Sequence, residues 1–208
     1  LQTGHFVGEK SVRTIFLNRY GFPDQSATSR MISSLAFSMA QRGMNVTVVA
    51  SREIHNHPGS VLPATETVRG VQIRRLASGR FGRHSLMRRS VDYLLFQVLA
   101  FAWLLRNVRA TDTVVVCTDP PLLSVMSSIA IRLKGALMVN WIMDLFPETA
   151  IELGFFRKRA RWVGPWLTQA RNWSLRSPGM VVCPTDKMAE FIFTQGISKD
   201  HVSVLHHW

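Results

Sequence analysis

The stretch FLNRYGFPDQSATSR, residues 16–30, decides the class of fold. It runs from the end of an apolar, strand-forming segment through a short loop into a helix that Ser26 can cap. A strand followed at once by a helix is typical of an α/β fold built on a parallel sheet. The loop holds one glycine, a proline and an aspartate and lacks the Gly-x-Gly-x-x-Gly pattern, and no P-loop pattern occurs in the chain. Nicotinamide chemistry and ATP hydrolysis are therefore disfavoured.

The alternation of strand and helix continues along the chain at roughly 30 residues per strand and helix, as in right-handed crossover units. Helices are expected after most of the strands, and the alternating pattern of residues 71–76 predicts an edge strand. The apolar runs predict strands at 12–18, 45–51, 71–76, 112–118, 136–142, 180–184 and 201–205. The sequence thus predicts an α/β, Rossmann-like doubly wound parallel sheet of about seven strands.

Composition limits the class of protein and the partners. The 208 residues are 47% hydrophobic, which is enough to bury a full core. Lys and Arg number 25 against 13 acidic residues, and the net charge of +12 predicts attraction to nucleic acid, a lipid headgroup or a phosphorylated substrate. The two cysteines, Cys117 and Cys183, each end an apolar run, which favours a reducing cytoplasmic compartment over a disulfide framework. Residues 1–10 do not have the pattern of a signal peptide, and we exclude them from the fold.

Five stretches together carry a family resemblance: FLNRYGFPDQSATSR, LAFSMAQRGMNVTVVASR, TDPPLLSV, NWIMDLFPETAIELG and ISKDHVSVLHHW. In this order and spacing they resemble the N-terminal half of bacterial family 4 glycosyltransferases, with the greatest likeness to enzymes of colanic-acid, capsule and O-antigen assembly. The resemblance covers residues 12–208. It implies a GT-B enzyme, in which an N-terminal Rossmann-like domain receives the acceptor and a C-terminal domain grips the nucleotide-sugar donor.

By this resemblance, residues 12–208 are the acceptor-binding domain and the donor-binding domain is absent from the chain. No cofactor is expected in this domain, whereas the full enzyme would bind a nucleotide-sugar. The implied reaction is retaining transfer of a sugar to a lipid-linked glycan in cell-surface polysaccharide biosynthesis, and the isolated domain is expected to be inactive. The alternative is a non-catalytic binding subunit that needs a separate donor-binding partner chain.

In a doubly wound sheet, ligands bind beyond the carboxyl ends of the strands. The family resemblance implies that the loop after the first strand faces the cleft, so that Pro23, Asp24, Gln25 and Ser26 are expected to contact a sugar or phosphate of the acceptor. Asp24 and Ser26 are equally well explained as caps of the following helix.

Three further acids follow predicted buried strands. Asp144 is the candidate catalytic residue, because a carboxylate there can orient or deprotonate the attacking hydroxyl. Glu148 is a candidate substrate contact, although an acid at a helix start is also favoured by the helix dipole. Asp119, before two prolines, is a weaker candidate, since the turn alone explains it. The histidines have no metal-ligand spacing, and no metal is expected.

Two basic clusters lie next to apolar and aromatic segments. Basic residues beside such segments suit a helix at an anionic membrane surface. Since the resemblance implies a lipid-linked acceptor, the protein is expected at the inner face of the cytoplasmic membrane. The alternative is a core helix with a solvated arginine face. No basic helix with base-reading spacing is present, so nucleic acid is not an expected partner. The expected membrane contacts are Arg80, Arg83, Arg88, Arg89, Arg157, Lys158, Arg159 and Arg161.

Overall fold

A computed structural model describes residues 12–55, 61–77, 86–152, 154 and 162–206, with the side chains of residues 86–89 left out of the description. The described residues form one eight-stranded sheet. Its strands are β1 (Arg13–Leu17), β2 (Asn45–Ser51), β3 (Thr65–Val68), β4 (Val71–Leu76), β5 (Thr113–Val116), β6 (Leu137–Trp141), β7 (Gly179–Cys183) and β8 (Val202–Val204).

Six α-helices and a 3-10 turn at Lys199–His201 complete the described part of the chain. The helices are α1 (Ala27–Gln41), α2 (Leu86–Asn107), α3 (Leu123–Lys134), α4 (Glu148–Glu152), α5 (Val163–Leu175) and α6 (Asp186–Thr194). Each predicted strand is present within two residues of its expected bounds. The agreement is close because each strand is an apolar run that begins and ends at polar turn residues.

The strands lie in the order β3-β4-β2-β1-β5-β6-β7-β8. All neighbours pair in parallel except β3 and β4. The chain therefore winds from β1 in one direction through β2 and β4, and in the other through β5, β6, β7 and β8. This confirms the doubly wound sheet that the sequence predicts.

One strand was missed. The segment Thr65–Val68 pairs antiparallel with β4 through a two-residue turn, Arg69–Gly70, in which both φ angles are positive, at 49° and 82°. Positive φ at both central positions is the geometry of a tight hairpin turn. The sheet thus has eight strands rather than about seven, and the expectation that 71–76 forms the edge is wrong because β3 covers it.

The core lies on both faces of the sheet. On one face Ile15, Leu17 and Met138 pack against α2 and α3, and on the other Phe16 and Val48 pack against α1. A third cluster joins α5 and α6 to β7. Burial of successive residues on opposite faces is the condition of a central parallel strand, and it explains the unbroken apolar run of β1.

Candidate functional site

The loops that follow β1, β5 and β6 meet at the carboxyl edge of the sheet, because these three strands are neighbours. Each loop contains a cis peptide bond before a proline: Phe22–Pro23, Asp119–Pro120 and Phe146–Pro147. The predicted site residues are all in these loops or at the starts of the helices that follow them. This is the edge at which open α/β sheets bind ligands.

In the loop after β1, Asp24 is buried. One carboxylate oxygen accepts a hydrogen bond from the backbone N–H of Ser26 at 2.8 Å, and the other accepts one from the backbone N–H of His55. The carboxylate therefore ties this loop to the loop after β2. Gln25 is exposed and donates to the carbonyl of Pro23 at 3.1 Å, while the Ser26 side chain makes no cap hydrogen bond to α1. The contacts of Asp24 favour a structural role for that residue.

Asp119 lies beside a buried arginine. The backbone N–H of Arg19 donates to the carbonyl of Asp119 at 2.8 Å, and Arg19 Nη2 donates to Glu53 at 3.1 Å. Burial lowers the pKa of Arg19, but the charges of Tyr20, Asp119 and Glu53 together raise it above its ordinary value. The guanidinium also lies 4.7 Å from the ring centroid of Tyr93. Asp119 thus helps to balance a buried, permanent positive charge.

A small pocket of about 30 Å³ lies beyond the ends of β5 and β6, between the start of α3, the loop after β6 and the end of α5. One polar atom of a wall residue, Asn140 Oδ1, is buried and has no hydrogen-bond partner among the described residues. The Asn140 amide nitrogen donates to the carbonyl of Ser174 at 3.3 Å, which fixes the direction of Oδ1. The next residue, Trp141, also contributes to the wall, but its side chain packs with Phe16 on the opposite face of the sheet. Buried polar atoms are rarely left unpaired, so the Asn140 oxygen indicates a place for one hydrogen-bond donor of a ligand.

Two further wall residues, Leu122 and Cys117, differ in what they contribute to this pocket. Leu122 has a left-handed φ of 61°, a conformation that a bulky residue adopts rarely and that clusters at functional sites. Cys117 is fully buried, and burial together with the charge of Asp119 raises the pKa of its thiol well above the ordinary value. The thiol is therefore neutral and does not serve as a nucleophile.

Asp144 and Glu148 have different environments. Asp144 is exposed at the pocket rim, and within the described part of the chain its carboxylate forms neither a hydrogen bond nor an ion pair. Glu148, the first residue of α4, forms a two-point ion pair with Arg171 of α5, at 2.7 and 3.0 Å. Arg171 is buried and also donates weakly to the carbonyl of Phe146 at 3.5 Å. Asp144 is available to a ligand, whereas Glu148 is engaged in holding α4 to α5.

The sequence analysis did not single out Arg171, Asn140 or Trp141. The expected membrane contacts Arg80, Arg83, Arg157, Lys158, Arg159 and Arg161 lie outside the described residues. Arg88 and Arg89 fall in the first turn of α2, but their side chains are likewise outside the description. Membrane contact through these residues stays a prediction.

The described residues contain neither a membrane-spanning helix nor a metal-binding cluster. No helix in that part of the chain has the length and apolar character needed to cross a bilayer. Nor does it contain a group of three or more His, Cys, Asp or Glu side chains placed to hold a metal ion.

Comparison with solved structures shows a shared fold at low sequence identity. The chain is similar to sucrose-phosphate synthase from Thermosynechococcus elongatus, with 12% identity and a TM-score of 0.62, over 94% of this chain and 48% of the other. It is also similar to α,α-trehalose 6-phosphate synthase from Burkholderia multivorans, at 14% identity and a TM-score of 0.54, over 92% and 45%. Anabaena HepE in complex with UDP matches at 12% and 0.51, over 94% and 44%.

The chain thus spans about half the length of these structures. At such identities the likeness concerns the fold alone. No curated protein matches the sequence. A model of the glycosyl transferase 4-like domain, in contrast, matches residues 26–208, which is most of the chain. The chain therefore belongs to the glycosyl transferase 4-like domain family and has the Rossmann-like fold of GT-B glycosyltransferases.

Proposed function

We propose that the chain is the acceptor-binding domain of a retaining glycosyltransferase that transfers a sugar from a nucleotide-sugar to a lipid-linked glycan. The process is the biosynthesis of a cell-surface polysaccharide at the inner face of the cytoplasmic membrane. The observation that carries the proposal is the pocket beyond β5 and β6, with the unpaired buried oxygen of Asn140 and the available carboxylate of Asp144. Membership of the glycosyl transferase 4-like family supports the reaction class.

The pocket suits a sugar hydroxyl. A hydroxyl donates one hydrogen bond and is small enough for this pocket, so it can donate to Asn140 Oδ1. Leu145 and Phe146 add apolar wall, against which the carbon–hydrogen face of a sugar ring packs. This combination of few polar groups and an apolar lining is common in small-molecule sites.

Asp144 is the proposed catalytic residue at the rim. Its free carboxylate would accept the hydrogen of the attacking acceptor hydroxyl, which orients or deprotonates that group. The donor would come from a second domain outside this chain. HepE, a structural neighbour solved with UDP, supports a nucleotide-sugar in that role. Glu148 would be a positioning residue, because its ion pair with Arg171 holds the start of α4 next to the loop that contains Asp144.

The experiment compares Asp144→Asn with Asp200→Asn in a two-domain form of the enzyme. Asp200 is exposed in the turn before β8, at the amino edge of the sheet, and serves as the matched control. We expect Asp144→Asn to lower kcat/KM by about 10²-fold or more, in the range of general acid–base contributions, with the fold unchanged. Turnover equal to that of the control variant would rule out an essential role for Asp144.

A binding experiment tests the pocket in the chain itself. A sugar diphosphate carrying a short prenyl chain serves as the acceptor analogue, and isothermal titration calorimetry measures its affinity. We expect Asn140→Leu to weaken binding, because the unpaired Oδ1 is removed. Equal affinities of this variant and of the unchanged chain would place the acceptor elsewhere.

A further inference from the structure

The outer surfaces of three neighbouring helices expose an unusual amount of apolar side chain. Helices α2, α3 and α5 cover one face of the sheet, with α3 packed against both of the others. We call their solvent side the outer helical face. Its exposed apolar residues are Val91, Leu94 and Val98 of α2, Ile129 and Leu133 of α3, and Trp162, Val163, Trp166 and Trp173 along α5.

The tryptophans of α5 point directly away from the protein core. At 100° per residue, Trp162, Trp166 and Trp173 lie within about 40° of one another around the helix axis. The buried residues Arg171 and Leu175 lie on the opposite side of the same helix. Trp162 is 81% exposed and Trp166 is 75% exposed. Soluble helices normally place indoles toward the core, so a line of indoles facing solvent indicates an interaction surface.

Helices α2 and α3 extend this line into a broader surface. The residues Val91, Leu94 and Val98 are spaced three and four apart, so they share the outward side of α2. Leu133 of α3 is 71% exposed and lies four residues beyond the exposed Ile129. Each of the three neighbouring helices therefore has an apolar stripe on its solvent side, which distinguishes this surface from singly scattered exposed residues.

The charge around the outer helical face has one sign. The three helices contain a single acidic residue, Asp92, and it is buried. Arg106 and Arg132 are exposed, and the Arg132 guanidinium lies 4.6 Å from the ring centroid of Trp173. These helices thus combine outward indoles and arginines, and they have no exposed carboxylate of their own. Indoles beside arginines suit the headgroup region of an anionic bilayer, where an amphipathic ring and a cation both find partners, and this combination favours a lipid surface over a protein partner.

We propose that the outer helical face docks on an anionic lipid bilayer, with Trp162 and Trp166 at the level of the headgroups. Tryptophan is enriched at membrane–water interfaces because its ring is apolar and its N–H is polar. Anionic lipids attract the arginines around it, and the apolar stripes enter the boundary of the acyl chains. The link between this docking and a lipid-linked acceptor rests on the proposed function, whereas the docking itself rests on the exposed residues.

The experiment measures binding of the 208-residue chain to phosphatidylcholine vesicles with and without 30% phosphatidylglycerol, a composition chosen as roughly that of an anionic membrane. We expect selective, salt-sensitive binding to the anionic vesicles, and a loss of about tenfold or more in Trp162→Ser/Trp166→Ser. Met44→Ser/Val61→Ser is the matched control, because these exposed apolar residues lie outside the outer helical face. Its binding should equal that of the unchanged chain.

Brominated lipids give a second readout, since bromine quenches only indoles that lie in the bilayer. Quenching in the unchanged chain that disappears in the double tryptophan variant supports the proposal. Equal vesicle binding by all three proteins would overturn it. A second result would also overturn the proposal. If the unchanged chain fails to bind anionic vesicles but self-associates in the ultracentrifuge, and the tryptophan substitutions abolish that self-association, the outer helical face joins two copies of the chain instead.

A transfer assay separates this proposal from the proposed function. In a two-domain form, Trp162→Ser/Trp166→Ser should retain transfer to a water-soluble acceptor analogue and lose transfer to a vesicle-borne one. Absence of any transfer in the unchanged two-domain enzyme would contradict the proposed function while leaving vesicle binding as measured. Loss of both activities in the variant, with vesicle binding intact, would overturn the docking role of the tryptophans.

Discussion

Removal of the Glu148 carboxylate tests whether this residue is structural or contacts substrate. The guanidinium of Arg171 is buried and receives its counter-charge from Glu148 through two hydrogen bonds of 2.7 and 3.0 Å. Its other hydrogen bonds are to neutral oxygens of Phe146 and Asn172, and it lies 6.0 Å from the ring centroid of Phe191. The Glu148→Ala variant therefore leaves a positive charge in the protein interior without its only charged partner among the described residues.

The size of the effect follows from the burial of the two partners. The Arg171 side chain is 7% exposed and that of Glu148 is 27% exposed. Breaking a fully buried pair costs about 3–5 kcal/mol, and partial access of water to Glu148 reduces this to about 3 kcal/mol for Glu148→Ala. Arg171→Met costs less, about 2 kcal/mol, because the stem still packs and the freed carboxylate reaches water. The double variant should then cost about 3 kcal/mol, well below the sum, which gives a coupling energy of about 2 kcal/mol.

Urea unfolding at pH 7, followed by circular dichroism, measures these free energies. Glu152→Ala is the matched control, because Glu152 is an exposed acid on the same helix, and its loss should cost less than about 0.5 kcal/mol. Additive losses in the double variant, or equal losses for Glu148→Ala and Glu152→Ala, would refute the structural role. Glu148 would then return as a candidate contact to the acceptor.

Three other predictions follow from local geometry. In Gly179→Ala, the added Cβ would lie 2.0 Å from the carbonyl oxygen of Met138, at a φ of 136°, so we expect loss of more than about 4 kcal/mol or no folding, as measured by thermal unfolding. Asp24→Ala leaves two backbone N–H groups without their acceptor and should cost about 2–4 kcal/mol in urea unfolding. Burial raises the pKa of the Cys183 thiol to about 11 and that of Cys117 further, so the folded thiols stay neutral and should react with a thiol reagent at pH 8 only after unfolding. The unfolding free energy should fall as pH rises above about 9, because the thiols then ionise in the unfolded chain alone.

Each of these predictions has a contrasting outcome. Gly43→Ala is the control for Gly179→Ala, because the φ of Gly43 is also positive but its added Cβ meets no atom within 4 Å. The loss in unfolding free energy should be several-fold smaller for Gly43→Ala. Retention of full stability in Asp24→Ala would show that the loop after β1 is held by other contacts. Rapid reaction of both thiols in the folded chain would contradict their burial.

Most of the sheet could be predicted from the sequence, because the central parallel strands are apolar on both faces and β4 has a clear alternation of apolar and polar residues. Strand β3 could not be found in this way, since Thr65–Val68 is polar and short, and it is stabilised by pairing with β4 rather than by burial. The signal that could have found it is the turn at Gly70 between two alternating segments.

The candidate site was predicted only in outline. The parallel topology is enough to place Asp144 at the carboxyl edge of the sheet. The contact of Asp24 with the backbone of His55 could not be predicted, because the two residues are 31 positions apart and no local pattern indicates it. Arg171 was missed for the same reason, since its partner Glu148 is 23 residues distant. Asn140 did carry a signal, because an amide in the middle of an otherwise apolar strand needs a reason to be there.

The central place of β1 has a consequence for synthesis of the protein. β1 leaves the ribosome before the other described strands, yet one of its two neighbours, β5, pairs with it from Thr113 onward. At 5–20 residues per second, the intervening chain of about 100 residues takes about 5–20 s to make. During that time the backbone of Ile15 and Leu17 has no β5 beside it, so β1 stays an unpaired apolar edge to which another chain can add.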